Sequence, residues 1–143
     1  MIDPTPPRHP QLAVSAAIFR DGKLLLVRRA RSPAKGVYTL PGGRVEFGET
    51  LHEAVAREVM EETALSIALI GLAGWREVLP ASQGGKGGGG HYVILPFAAR
   101  WQSGEVRLNP ELDDFQWRVP DALDGLTLTD GLPEIIAAAR ALL

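Results

Sequence analysis

The sequence predicts a mixed α/β sandwich, in which a β-sheet packs against helices within one domain. Three observations predict it: several short strand-like segments, two segments with helix-capping residues, and a length of 143 residues, which suits a single domain. Hydrophobic residues make up 45% of the chain, the usual share for a protein with a core. Residues 1–10 contain four prolines, so we expect an irregular N-terminal arm there and the single domain over residues 11–143.

The strands are predicted from the alternation of apolar and polar residues and from short apolar runs between turn residues. Asp21-Gly22 is a typical hairpin turn between the first two strands, and Pro41-Gly42-Gly43 predicts a break after the third. Pro96 predicts an edge strand or a bulge, because proline lacks the N–H that a central strand donates. The predicted strands are Leu12–Phe19, Leu24–Val27, Val37–Leu40, Leu65–Leu72, Trp75–Leu79, His91–Ala99 and Phe115–Val119.

Two helices are predicted from the residues at their N-termini. Thr50 and Glu53 have the spacing of a capping box, and the helix that they open is expected to run to about Thr63. Near the end of the chain, Thr129 or Asp130 is expected to cap a second helix.

Composition excludes several classes of function. The 15 basic and 17 acidic side chains give a formal charge of −2, so a broad nucleic-acid-binding surface is not expected. The chain has no cysteine, which excludes disulfides, thiolate zinc sites and a cysteine nucleophile. No apolar run approaches the ~20 residues that span a bilayer, and the first ten residues lack a signal-peptide pattern. We therefore expect a cytoplasmic protein that does not contact a membrane.

Residues 81–90 form the one low-complexity segment, with six glycines among ten residues. We expect a mobile loop there, because glycine-rich segments are flexible. Residues 85–90 match the pattern G-x-G-x-x-G, but a strand rather than a helix is predicted after them, so a dinucleotide-binding loop is not expected. The role of residues 84–90 stays open.

The chemically informative segment is the first predicted helix, which carries a cluster of glutamates. At about 100° per residue, Glu58, Glu61 and Glu62 fall within a sector about 100° wide. Leu51 and Val55 of the preceding turns point in the same direction. The apolar stripe that should face the core therefore becomes acidic partway along the helix.

This placement of charge is unfavourable by itself. Like charges three and four residues apart repel each other, and the C-terminal end of a helix disfavours negative charge. A bound cation would compensate, and oxygen-rich clusters bind hard divalent ions such as Mg²⁺ or Mn²⁺. The alternative is a solvated acidic face without a metal, which is the ordinary role of a glutamate-rich helix.

Residues Gly43–Leu65 resemble the Nudix hydrolase signature, G-x5-E-x7-R-E-U-x-E-E-x-G-U, in which U is an aliphatic residue. Eight of the nine specified positions agree. The exception is Ala64, which stands where the signature has glycine. Glycine just past a helix end often adopts a left-handed conformation, so alanine there is expected to cost about 1 kcal/mol.

The resemblance implies an α/β/α sandwich and the hydrolysis of a nucleoside diphosphate linked to another group, with Mg²⁺ or Mn²⁺ as cofactor. By motif position, Glu58 and Glu62 would be the main metal ligands, with Glu61 as a further ligand. A backbone carbonyl of the Gly42-Gly43 segment often joins such sites, so we assign Gly43 to the metal. Gly42, beside it, is assigned to the substrate.

The resemblance also implies roles for residues around these glutamates. Arg57 and Glu49 are expected to pair and to orient the loop against the helix. The general base differs among members of the family, so Glu58, Glu61 and the later acid Glu111 all remain candidates.

Arg28 and Arg29 follow the second predicted strand and are candidates for binding the phosphates of the substrate. Because successive residues of a strand point to opposite faces, only one of them can easily reach a phosphate.

The expected partner is a nucleotide-type small molecule. Pro80 lies 15 residues after Leu65, a spacing that resembles the ADP-ribose pyrophosphatase group of the family, so ADP-ribose or a related dinucleotide is slightly favoured. The alternatives are a nucleoside triphosphate pyrophosphatase that sanitises the nucleotide pool and a non-catalytic nucleotide-binding regulator. Dimers are common in the family, so a homodimer also stays open.

Overall fold

The computed structural model describes residues 9–80 and 90–143. Most of the expected N-terminal arm and of the glycine-rich segment 81–90 therefore lie outside the described residues. The elements of the described chain are the strands β1 (Gln11–Arg20), β2 (Lys23–Arg29), β3 (Tyr38–Thr39), β4 (Gly42–Arg44), β5 (Ser66–Leu72), β6 (Arg76–Val78), β7 (Tyr92–Ser103) and β8 (Leu112–Arg118) and the helices α1 (Leu51–Thr63) and α2 (Leu132–Arg140).

The strands form one mixed sheet, as predicted. Its central order is β3-β2-β1-β7-β5, with β4 paired to β1, β6 to β7 and β8 to β2. β1 and β7 are parallel, from Gln11 opposite Tyr92 to Phe19 opposite Arg100. The other pairs of named strands in the described chain are antiparallel.

The two helices cover opposite faces of the sheet. Val55 and Val59 of α1 belong to one hydrophobic core, and Leu132 and Ile136 of α2 belong to another. The sheet contributes alternate residues to each core, because successive side chains of a strand point to opposite faces. The expected α/β/α sandwich is confirmed. No helix in the described ranges is long and apolar enough to cross a bilayer.

Helix α1 begins and ends where the sequence predicts. The hydroxyl of Thr50 accepts the N–H of Glu53 at 3.1 Å, and the carboxylate of Glu53 accepts the N–H of Thr50 at 2.9 Å. This is the predicted capping box. After Thr63, Ala64 has φ 64° and ψ 18°, the left-handed conformation that glycine adopts most easily.

The start of α2 differs from the prediction. Its N-cap is Gly131, with φ 77° and no side-chain capping bond. Thr129 contributes only its carbonyl, which accepts the N–H of Leu132 at 3.2 Å. The prediction that Thr129 or Asp130 caps this helix is wrong, because the left-handed glycine already turns the chain into the helix.

The predicted break after the third strand is present at Leu40 and Pro41, but the two glycines that follow do not belong to it. Gly42–Arg44 forms β4, which pairs antiparallel with residues 13–15 of β1. Glycine permits this strand to lie close to its neighbour, because a Cβ atom at Gly42 would come within 2.1 Å of the carbonyl oxygen of Val14. The strand is set by a partner some thirty residues earlier, and local turn propensity does not reveal such a partner.

Pro96 lies inside the sheet, so the edge strand, one of the two predicted settings, is wrong. The other setting, a bulge, agrees with the pairing, because the three residues 73–75 stand opposite the two residues 95–96. β7, which contains Pro96, pairs with β1 on one side and with β5 and β6 on the other. Between β5 and β6, Ala73 donates its N–H to the carbonyl of Pro96 at 2.8 Å. The missing N–H of the proline therefore faces the interruption between two strands, where no ladder bond is lost.

Candidate active site

Strand β4 brings two glycines against the acidic half of α1. The N–H of Gly42 donates to Oε1 of Glu62 at 2.8 Å. A Cβ atom at Gly43 would lie 2.4 Å from the carboxyl carbon of Glu58. Only glycine therefore allows Glu58 to lie in this position, and the two glycines place two carboxylates beside one strand.

Glu62 is largely buried, with 7% of its surface exposed. This burial raises its pKa to about 7, and the negative charges of Glu58 and Glu111 add to the rise. The N–H of Gly42 and the charge of Arg29 oppose the rise in part. A nearby cation would stabilise the ionised form of this carboxylate.

Glu58 has a similar environment, with 15% of its side chain exposed. Burial raises its pKa, and the charges of Glu61 and Glu111 act in the same direction, whereas the hydrogen bond from Arg57 lowers it. Two carboxylates one helical turn apart are thus both partly desolvated.

Arg57 links the loop before α1 to the glutamates of the helix. Its Nε and Nη2 atoms donate to the two oxygens of Glu49 at 2.6 and 2.9 Å, which is the predicted pairing. This bidentate pair, together with the N–H of Glu46, lowers the pKa of Glu49 to about 2. Nη1 of Arg57 also donates to Glu58 at 2.8 Å and to Glu61 at 3.2 Å.

Glu61 is more exposed than Glu58 and Glu62, with 55% of its side chain exposed. Arg57 binds Glu58 and Glu61, whereas the N–H of Gly42 in β4 binds Glu62. The carboxylate of Glu62 is therefore drawn away from the other two. Accordingly, the described part of the chain contains no group of three acidic or histidine side chains already arranged around a metal position. The donors nevertheless fit a hard divalent cation, because all three are carboxylates and two are desolvated.

A further acidic residue comes from the loop between β7 and β8. The N–H groups of Arg107 and Asn109 donate to the carbonyls of Thr63 and Glu62 at 2.9 and 3.2 Å, so this loop follows the C-terminal end of α1. Glu111 lies on the same loop, and its charge is near enough to raise the pKa of Glu62. The structure therefore brings Glu111 to the glutamates of the helix.

Arg28 and Arg29 act on opposite faces, as the alternation of strand residues predicts. Nε of Arg28 donates to Asp113 at 2.6 Å, and the guanidinium lies 5.7 Å from the ring centroid of Tyr38, a residue of the core on the α2 side. The charge of Arg29 instead lowers the pKa of Glu62. Only Arg29 is brought to the glutamate cluster.

Two features of the site escaped the sequence analysis. The first concerns Gly42, which is expected to bind the substrate, whereas its N–H donates to the side chain of Glu62. The second feature is Asn109, whose Oδ1 accepts the N–H of Glu111 at 3.0 Å. The order Asn-Pro-Glu is the signal that could have found it, because asparagine often accepts the N–H two residues later.

A mixed sheet between two helices, with acidic residues of one helix behind a Gly-Gly strand, defines the class of Nudix-fold proteins. A MutT NUDIX hydrolase from Burkholderia pseudomallei has the same fold, with a TM-score of 0.80 and 31% identity over 92% of this chain and 98% of that one. The family model described as the NUDIX domain matches residues 9–139. The chain belongs to the Nudix family.

Two curated relatives share parts of this sequence. An ADP-ribose pyrophosphatase from Methanocaldococcus jannaschii is 54% identical over 57 residues, which are 40% of this chain and 34% of that protein. An NAD-capped RNA hydrolase NudC from Haemophilus influenzae is 37% identical over 109 residues, which are 73% of this chain and 38% of that protein. The chain thus spans little more than a third of the length of these relatives.

Proposed function

We propose that this chain hydrolyses the pyrophosphate bond of a nucleoside diphosphate linked to another group, with Mg²⁺ or Mn²⁺ as cofactor. The observation that carries the proposal is the pair of desolvated carboxylates, Glu58 and Glu62, held beside the Gly42-Gly43 strand of a Nudix domain. A solvated acidic face would leave these side chains in water, whereas Glu62 is 7% exposed.

The cation would be held by Glu58, Glu61 and Glu62, with the carbonyl of Gly43 as a further oxygen donor. When bound, it would neutralise the diphosphate, lower the pKa of a water molecule and stabilise the departing oxygen. Arg57, whose Nη2 also donates to the carbonyl of Arg44 in β4 at 3.0 Å, would orient Glu58.

Glu111 is the general base that we favour over Glu58 and Glu61. It comes from a different element and its charge acts on both Glu58 and Glu62, so it lies beside the helix carboxylates. Unlike them, it is not required as a metal ligand and is available to accept a proton from the attacking water. Arg29 is the residue that we assign to the phosphates, because it lies on the glutamate side of the sheet.

The substrate that we favour contains an ADP group joined through its diphosphate to a second group. ADP-ribose and the NAD cap, which appear in the names of the two curated relatives, share this chemistry. A nucleoside triphosphate is the second candidate, because it presents the same phosphoanhydride linkage to a bound divalent cation.

The test is a substrate panel with Mg²⁺ and with Mn²⁺, in which the phosphate, pyrophosphate and monophosphate products are quantified. Glu58→Gln and Glu62→Gln should each lower the turnover by at least about a hundredfold. Glu134→Gln, at an exposed position on α2, is the matched control and should keep the wild-type rate. Near-normal rates in both site variants would contradict the proposal, and nucleotide binding without hydrolysis would favour a regulator.

A further inference from the structure

The loop that carries Glu111 is tied by its backbone to the end of α1. A helix leaves its last carbonyl groups without partners inside the helix. Two of them, those of Glu62 and Thr63, accept the N–H groups of Asn109 and Arg107 at 3.2 and 2.9 Å. The side chain of Glu62 belongs to the glutamate cluster, so the same residue connects this loop to the site.

Both backbone polar groups of Glu111, its N–H and its carbonyl, are hydrogen-bonded. Its N–H donates to Oδ1 of Asn109 at 3.0 Å, and its carbonyl accepts the N–H of Ala30 at 2.9 Å. Pro110, between Asn109 and Glu111, has a restricted φ and no N–H of its own. The N–H of Leu112 closes the turn on the carbonyl of Asn109 at 3.1 Å.

The side chain of Asn109 is thus the polar group that fixes the N–H of Glu111. Ala30 fixes the carbonyl through its main chain, so a substitution at Ala30 would leave that bond in place. Alanine at position 109 would remove the other bond directly. Its main-chain N–H would still donate to Glu62, and the loop would remain attached to α1.

We propose that Asn109 is a positioning residue for catalysis, which holds the backbone of Glu111 so that its carboxylate faces Glu58 and Glu62. This inference rests on the proposed function and deepens it. A displacement of about 1 Å in a reacting group lowers a rate strongly, whereas the binding of the substrate by other residues is little affected. The loss of the Asn109 side chain should therefore act on kcat and leave KM nearly unchanged.

The test compares Asn109→Ala with Asn109→Ser, whose hydroxyl can accept the same N–H. The reaction is the hydrolysis of ADP-ribose with Mg²⁺, or of dGTP if the panel favours a triphosphate. Asn109→Ala should lower kcat about tenfold with KM within about twofold, and Asn109→Ser should recover much of the loss. The control is Glu105→Gln, on the same loop as Asn109. It alters only an exposed contact with Arg20 of β1 and should keep the wild-type kcat.

A double-mutant cycle with Glu111→Gln decides whether the effect passes through Glu111. In that background, Asn109→Ala should cause no further fall in kcat. An additional tenfold fall, a wild-type kcat for Asn109→Ala, or a wild-type kcat for Glu111→Gln would each overturn the proposal for Asn109. The proposed function fails separately, through full activity of Glu58→Gln and Glu62→Gln.

Discussion

Ala64 adopts a backbone conformation that is unfavourable for any residue with a side chain. Its φ of 64° places the Cβ atom too close to its own backbone, whereas glycine has no such contact. The position is nevertheless required to turn the chain out of α1, and its N–H still donates to the carbonyl of Met60 at 3.0 Å. The helix exit thus forms with alanine, at a cost in stability.

Replacing this alanine should stabilise the fold. We expect Ala64→Gly to raise the free energy of unfolding by about 1 kcal/mol, and the melting temperature by about 3 °C, because the strain disappears. Urea and thermal unfolding measure both quantities. Ala68→Gly, at an exposed position of β5 without positive φ, should instead destabilise by about 0.5–1 kcal/mol. Destabilisation by both substitutions would contradict this account of Ala64.

At the scale of elements, β4 connects the sheet to the glutamates of α1. Gly42 faces the backbone of β1, where a Cβ atom would lie 2.1 Å from the carbonyl oxygen of Val14 and 2.7 Å from Cα of Ser15. Gly43 faces the carboxyl group of Glu58, whose carbon would lie 2.4 Å from a Cβ atom at this position. A side chain is therefore excluded for different reasons at the two glycines, by strand pairing at Gly42 and by Glu58 at Gly43.

Alanine substitutions should distinguish the two positions. Gly42→Ala forces two strands apart and should destabilise the protein by about 3 kcal/mol, as overpacking does. Gly43→Ala displaces only a flexible side chain, so we expect a loss of stability below about 1 kcal/mol but a fall in kcat of about a hundredfold. Urea unfolding and the hydrolysis assay measure the two effects. Equal stability of both variants would show that the contact with β1 is unimportant.

Local sequence signals were sufficient for most of the elements. The capping box defined the start of α1, and the Asp21-Gly22 turn defined the first hairpin. They failed where a distant partner decides the structure. β4 exists because residues 13–15 of β1 lie beside it, and Pro96 is accommodated because β5 and β6 are interrupted opposite it.

The candidate site was predictable to a similar extent. The helical periodicity grouped Glu58, Glu61 and Glu62, but it did not predict that their exposures differ, because these depend on β4 and on the loop before β8. Arg57 lies about 100° from Glu58 on the helical wheel, yet its long side chain reaches it at 2.8 Å. Periodicity describes the direction of a Cβ atom, and not the reach of a long side chain.

At the scale of the whole molecule, the buried glutamate should make stability depend on pH. The pKa of Glu62 rises from an ordinary 4.5 to about 7 in the fold. Protonated Glu62 therefore contributes its full stabilisation of the fold below about pH 4.5. This stabilisation is lost as the pH rises through about 7, because the buried carboxyl group must then ionise. The opposite effect of Glu49, whose pKa falls to about 2, is confined to acid conditions.

The metal-free protein should lose up to about 3 kcal/mol of stability through Glu62 between about pH 5 and pH 8. Glu62→Gln removes this loss, because the amide oxygen can still accept the N–H of Gly42 but does not titrate. Urea unfolding in EDTA at the two pH values measures the difference for both proteins. An identical pH dependence in the variant would contradict the assignment to Glu62.

The addition of Mg²⁺ or Mn²⁺ at about pH 8 provides the complementary observation. A cation that binds only the folded protein raises its free energy of unfolding by RT ln(1 + c/Kd), where c is the concentration of the cation, so the rise grows with the affinity of the site. The melting temperature of the wild type should rise, and that of Glu62→Gln should rise less. An equal rise in both would place the ion elsewhere.

The parallel pairing of β1 with β7 also constrains how the protein is made. Gln11 and Tyr92 are 81 residues apart, so the centre of the sheet closes by a contact of high sequence separation. During synthesis, β1 and β2 leave the ribosome as a hairpin long before β7 is translated. Because an isolated hairpin is only marginally stable in water, the centre of the sheet cannot close before β7, which ends at Ser103, has emerged. The apolar residues of β1 are available to chaperones throughout that interval.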